Sequence, residues 1–207
     1  MGEDIHAGES GFGQMVSYPP LVPSSAWFSC YIKALREGMV EREAMEIANQ
    51  SLPTVKEFGR YAVKNNKGRI TLSVALEGGG KQLRKIDSGI PILLSEHGDW
   101  RKVHMGGLEA SLGRTPYYRH IEPELKSIYQ NLEIINLKDF NAAIFQCLKA
   151  FLLGNISTMM LQELSKQGLW QERGKEIAEN IIPDLSVVQS LSEYGRETLL
   201  GIMMMDY

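Results

Sequence analysis

An α+β fold is the class this sequence predicts: a small mixed β-sheet in the N-terminal half packed against a mainly helical C-terminal half. Three observations carry it. Ile70, Leu72, Val74 and Leu76 alternate along the chain, the period of a strand with one buried face. Asn65, Asn66, Lys67 and Gly68 ahead of them form a turn-rich link to a second apolar run at 58–63, the pattern of a hairpin. Beyond Asp99 the apolar residues recur at spacings of three and four, the period of a helix. Strands that cluster early and helices that cluster late define α+β rather than alternating α/β.

Taken in order, residues 15–21 read as a short strand stopped by Pro19, Pro20 and Pro23. Ser24 or Ser25 caps a helix over 26–35, on which Trp27, Tyr31 and Leu35 share a face, and Gly38 ends it. Residues 40–50 are ambiguous: Met45 and Ile47 alternate with charges, while Ala44 and Ala48 favour a helix. After the hairpin, Gly78, Gly79 and Gly80 break the chain, and residues 83–86 and 90–94 are expected to add strand. Asp99 reads as the N-cap of a helix over Trp100–Leu112, with Trp100, Val103, Gly107, Leu108 and Ser111 on its inner stripe. Pro123 suits the first position of a helix over 123–129, where its missing N–H costs nothing. The strongest helical pattern is Leu137–Leu153, with Phe140, Ile144, Cys147, Leu148 and Phe151 as its stripe. Further helices are expected at 157–164 and 172–180, and a closing helix or turn at 185–194.

Composition narrows the function. The chain has 207 residues, 43% hydrophobic and 23% charged, enough apolar matter for one globular domain. Residues 1–14 read as a flexible leader and 15–207 as a single domain. The net charge of -3 argues against a nucleic-acid partner, which would call for a basic surface. No basic start leads into an apolar core, and no apolar run is long enough to span a bilayer, so no membrane insertion and a cytoplasmic location are expected. Cys30 and Cys147 make neither a disulfide framework nor a zinc signature. Gly78, Gly79, Gly80 and Lys81 lack the spaced glycine and the Ser or Thr of a phosphate-binding loop. With no nucleophile-elbow or zincin motif either, no metal and no cofactor is expected. The composition is also compatible with a homo-oligomer.

Two clusters carry the chemistry. The first runs from Ser95 to His104. On a helix, Trp100 and His104 are four apart and share a face, while His97 lies at the helix entry near its positive end. A neutral imidazole there suits a general base. The same residues also read structurally: Asp99 as a cap, Trp100 as core, His104 as a satisfied inner histidine. The second cluster is Arg114, Thr115, Pro116, Tyr117, Tyr118, Arg119 and His120. Arginine forks and tyrosine faces between two helices suit a small anionic or sugar-like ligand, or else a packed helical corner. Arg60, on an early strand, is a third candidate.

These segments together resemble the WbqC-like family. The resemblance lies in His97, Gly98, Asp99, Trp100, Arg101, Lys102, Val103 and His104, followed by Leu108, Glu109 and Ala110 and then Arg114, Thr115, Pro116, Tyr117 and Tyr118. Weaker matches in the same order are Pro23 with Trp27 and Phe28, Phe58 with Gly59 and Arg60, and Ile182, Pro183, Asp184, Leu185 and Ser186. Tyr18 and Leu21 stand near the family's opening polar–tyrosine–proline motif. Glu46, Asn49 and Gln50 are nearest to the acidic residues expected after the first helix. The resemblance implies a transferase moving an amino-acid or acyl group to a sugar, in O-antigen or other surface polysaccharide biosynthesis. His97 and His104 would then be catalytic, and Arg60, Trp100, Arg101, Arg114, Tyr117 and Tyr118 would bind substrate. A non-catalytic ligand-binding or scaffold protein of a polysaccharide assembly complex is the alternative.

Overall fold

The computed structural model describes residues 16–154 and 185–203. The leader and the helices expected at 157–164 and 172–180 lie outside the described residues. Helix α1 (Ser25–Arg36) begins as expected: Ser24 is extended, and its Oγ accepts the Trp27 backbone N–H at 3.2 Å. Residues 40–50 resolve as helix α2 (Glu41–Gln50), because Ala44, Met45, Ala48 and Asn49 fall on one buried face. Trp27 stacks on Tyr31 with ring centroids 5.5 Å apart, and Phe145 meets both rings edge-on.

The strand expected at 15–21 is absent from 16 onwards, since Pro19 and Pro20 lack the N–H groups that a ladder needs. Asn49 replaces the ladder. Its Nδ2 donates to the carbonyls of Val16 and Tyr18 at 2.8 and 3.1 Å, and its Oδ1 accepts the Trp27 indole N–H at 2.9 Å. One buried amide thus ties α2, α1 and the chain entering the fold.

The hairpin comprises β1 (Arg60–Asn65) and β2 (Gly68–Ser73), antiparallel, with Tyr61 opposite Leu72 and Val63 opposite Ile70. Those four side chains share a face by strand alternation. The strands expected at 83–86 and 90–94 do not form. Leu83 lies in a 3-10 helix, Gly80–Lys85, and residues 90–94 make only isolated bridges, Leu94 to Leu76 and Leu93 to Asn136. Pro91 cannot donate to a ladder, so pairing here stays local. The sheet among the described residues is therefore two-stranded and antiparallel rather than mixed.

Helix α3 (Trp100–Leu112) packs on the hairpin. Gly107 permits the approach, since a Cβ there would lie 3.1 Å from a Leu72 methyl. Two expectations for α3 fail. Asp99 adopts a left-handed φ of 49° and makes no capping bond; its carboxylate lies 3.6 Å from the Lys102 ammonium instead. Val103 is exposed, and the buried stripe is Trp100, Arg101, His104, Leu108 and Leu112. Helix α4 (Tyr118–Gln130) starts five residues before Pro123, which sits inside it. Pro123 is exposed, so the Arg119 carbonyl that loses its helical donor lies on the wet side.

Helix α5 (Leu137–Leu153) has its expected bounds and is capped by Asn136, whose Oδ1 accepts the Asp139 N–H at 2.9 Å. Two helices follow: α6 (Val187–Tyr194) and α7 (Arg196–Met203), the second not anticipated. Arg196 donates to the carbonyls of Leu152 and Leu153, both at 3.0 Å, closing the C-terminal end of α5.

The segment before α6 is a strap. The Ser25 N–H bonds the Leu185 carbonyl at 3.0 Å, and the Val187 N–H bonds the Pro23 carbonyl at 2.8 Å. On its other side the Ser186 N–H bonds the Ala62 carbonyl at 2.9 Å, and Gln189 Oε1 accepts the Lys64 N–H at 2.7 Å. The outer edge of β1 is thereby covered. Among the described residues no helix is long and apolar enough to cross a membrane.

Replacing Asn49 with Leu leaves two carbonyls and an indole N–H without partners in a dry site. The expected loss is about 2–4 kcal/mol of unfolding free energy, read from urea denaturation. An unchanged midpoint would show that the clamp does not hold the fold.

Candidate functional site

The stripe that α3 buries carries its histidine to the centre of the molecule. His104 is 1% exposed. Its Nδ1 lies 3.2 Å from the Tyr129 hydroxyl on α4, which lies 3.2 Å from the Tyr61 hydroxyl on β1. Trp100 and Tyr61 stand edge-on to the imidazole at 5.1 and 5.4 Å. Nε2 is buried with no hydrogen-bond partner. Burial lowers the His104 pKa to about 4, with the nearby Ser73 backbone opposing it in part, so the ring is neutral at pH 7. Burial and then Tyr129 hold the Tyr61 hydroxyl far above its usual range. Burial also raises Tyr129, while the Tyr61 hydrogen bond and Arg101 pull it back.

Tyr118 is buried at the start of α4 with no partner for its hydroxyl. Its phenol lies close enough to raise both Tyr61 and Tyr129 electrostatically. His104, Trp100 and Tyr118 are thus gathered around one polar island in an apolar core. Tyr61 and Tyr129 complete it. Sequence reasoning missed both as site residues, although Tyr129 extends the Ile121 and Leu125 stripe of α4 and Tyr61 alternates with Val63.

Arg101 lies next to this island and is already fully engaged. Its Nε meets Glu96 at 3.0 and 3.2 Å, and Nη2 donates to the Ile134 carbonyl at 3.1 Å. Nη1 lies 3.4 Å from the carbonyls of both Tyr129, in the last turn of α4, and Asn131, just beyond it. The guanidinium packs over Trp100 and Phe140, 4.8 and 5.2 Å from their centroids. One side chain closes the end of α4 and fixes the link to α5.

The other predicted site residues lie apart from the island. Arg60 gives Nε and Nη2 to Glu57 Oε1, at 3.1 and 2.8 Å. His97 is exposed on the short turn His97–Asp99 before α3. Arg114 and Tyr117 are exposed beyond the other end of α3. A 13-residue helix rises about 20 Å, so His97 cannot share one small ligand with Arg114 and Tyr117. The Tyr117 ring lies against Gly195, where a Cβ would come within 2.9 Å, and its backbone N–H bonds the Ser192 carbonyl at 3.0 Å.

A concave feature lies apart from the cluster. A cleft of about 340 Å³ opens between residues 16–18, the loop 86–92 and the start of α5. None of the sequence-predicted site residues lines it. Among the described residues no group of three His, Cys, Asp or Glu is placed to hold a metal ion, and both cysteines are free thiols.

An α+β domain whose hairpin, α3 and α4 enclose a neutral histidine bonded to tyrosine is the architecture in hand. Residues 57–194 match the WbqC-like protein family, and the chain belongs to it. The matched span begins just before β1 and ends with α6, so it contains Tyr61, His104, Tyr118 and Tyr129. No curated protein and no solved structure matches the chain.

Two outcomes follow for the buried groups. His104 binds a proton near 6.5 when unfolded and only near 4 when folded, so the unfolded state takes up more protons between those values. Stability is full above pH 6.5 and falls as pH drops towards 4, by on the order of 3 kcal/mol. His104→Phe flattens that slope in urea titrations at pH 7 and 4.5. For the arginines, Arg101→Lys costs about 2 kcal/mol by thermal unfolding, because the ammonium cannot reach the same carbonyls and carboxylate. Arg60→Lys, at the half-exposed pair with Glu57, costs less than about 1 kcal/mol.

Proposed function

We propose that this protein is a group transferase that moves an amino-acid or acyl group onto a sugar in the assembly of O-antigen or another surface polysaccharide. It works in the cytoplasm on a small anionic or sugar-like substrate. The observation that carries the reading is the neutral His104 imidazole, bonded to Tyr129 and through it to Tyr61, inside the matched span. In the tautomer with the proton on Nδ1, that N–H donates to Tyr129 and leaves the Nε2 lone pair to accept a proton. Once the packing over Nε2 opens to admit it, the attacking amine or hydroxyl of the sugar gives up that proton as its bond to the acyl carbon forms. The bond from the acyl carbon to its carrier breaks, and the carrier leaves with the proton.

In this reading Trp100 and Tyr118 wall the site beside His104. The exposed His97, at the opposite end of α3 from Arg114 and Tyr117, is the second proton carrier for the departing acyl carrier and not for the group that those two residues hold. Arg114, which has no polar partner among the described residues, meets a phosphate or carboxylate of the substrate with Tyr117 beside it. Arg60 and Arg101 contribute only if they release Glu57 and Glu96.

That engagement of both arginines, together with the enclosure of Nε2, favours a second reading: a non-catalytic ligand-binding or scaffold protein of an assembly complex. A transfer assay with nucleotide sugars and acyl or aminoacyl donors separates the two. In the first reading His104→Gln lowers kcat by about 100-fold or more and His97→Ala lowers it less. Equal turnover in wild type and both variants would remove the histidines from catalysis. Stabilisation by a nucleotide sugar with no turnover in any combination supports the second reading.

A further inference from the structure

The cleft at the start of α5 is built from parts that are each held in place. The carbonyls of Val16 and Tyr18 are gripped from behind by Asn49. The Ile92 carbonyl accepts the Leu137 N–H at 2.8 Å, and the Leu94 N–H bonds the Ile135 carbonyl at 2.8 Å, so the loop is tied to the first residue of α5 and to the segment just before it. Its volume of about 340 Å³ falls in the range of small-molecule pockets.

The charges that line it are not alike. Asp139 is hydrogen-bonded locally: its Oδ2 accepts from Asn136 Nδ2 at 2.6 Å, and it sits in the first turn of α5, where the helix dipole favours its negative charge. Asp87 on the loop and Lys138 on α5 both line the cleft, and neither forms an ion pair or hydrogen bond among the described residues. A carboxylate and an ammonium that share a cleft without pairing leave two unmet charges of opposite sign. Tyr18 places a phenol beside Asp87, and Ile90 and Pro91 supply an apolar flank.

We infer that this cleft binds a small ligand with an ammonium group at one end and an anionic group at the other, the ammonium on Asp87 and the anion on Lys138. Partial burial raises the Asp87 carboxyl above its usual pKa, and a bound cation relieves that penalty. Burial and the Asp87 charge keep the Tyr18 hydroxyl protonated, so it donates to the ligand rather than repelling its anionic end. Two kinds of molecule carry this chemistry: a free amino acid and a phosphorylated amino sugar. The inference concerns binding and does not rest on the transfer chemistry above, although either ligand would serve as its amine-bearing reactant.

The test is calorimetric titration of the full chain with glucosamine 6-phosphate and, separately, with glycine and serine. Glucose 6-phosphate and glucosamine, each lacking one charge, are the controls for the sugar phosphate, and acetate and methylamine are those for the amino acids. At least one doubly charged probe binds saturably, and its matched control binds about tenfold or more weaker. Asp87→Asn and Lys138→Gln, both at exposed positions, each weaken that probe about tenfold or more, while Lys102→Gln on α3 leaves it unchanged. Binding of the sugar phosphate alone, or of the amino acids alone, assigns the source. Absence of saturable binding by every probe overturns the inference. So does binding that Asp87→Asn and Lys138→Gln leave intact. Because the readout is heat of binding, an inactive transfer assay does not alter this result, and a failure here leaves the histidine test standing.

Discussion

The fold depends on the outer edge of β1 being completed by residues 185–189. A two-stranded hairpin is barely stable alone, and its exposed edge invites pairing with other chains. The strap meets that edge through the Ser186 N–H and the Gln189 side chain while its other side pairs with residues 23–25. The Ser25 and Ser190 hydroxyls, 2.8 Å apart, extend the same seam into the core. The α1–α2 pair, the hairpin and the α6–α7 pair therefore share one line of backbone hydrogen bonds. With the hairpin held from that side, α3 can lie on its apolar face and bring His104 against Tyr61.

Much of this was legible in the sequence, and the parts that were not have identifiable causes. Helices α3 and α5 showed their bounds because Gly113 and Gly154 follow strong periodic runs. Helix α4 hid its start: Tyr117 and Tyr118 offer no capping side chain, and Pro123 imitates a first-turn proline. The apolar composition of 90–94 suggested strand, but Pro91 makes continuous pairing impossible. The inner stripe of α3 was misjudged at Val103 because a buried Arg101 displaced it, and a charged residue is not expected inside until its partners are known. Besides the local Glu96, those partners are carbonyls from residues 129–134, which no local pattern connects to it.

The candidate site divides along the same line. His104 and Trp100 could be paired from helical spacing alone. The phenols that define the environment of His104 could not, since Tyr61 and Tyr129 are 68 positions apart and meet only through tertiary packing. Two of the candidate substrate-binding residues, Arg60 and Arg101, are bound to neighbouring glutamates. Asp87 and Lys138, in an unremarked loop and helix start, retain unmet charge. Residue type marks where chemistry is available, and only tertiary pairing shows which groups are still free to use it.

The strap also sets the order of events during folding. Ser25 and Ser190 are 165 positions apart, so the contact that seals the fold closes an unusually long loop. During synthesis α1, α2 and the hairpin emerge well before their partner and must wait with the β1 edge uncovered, which invites aggregation and capture by chaperones. Closing such a loop is a late, long-range step, distinct from the local formation of the helices.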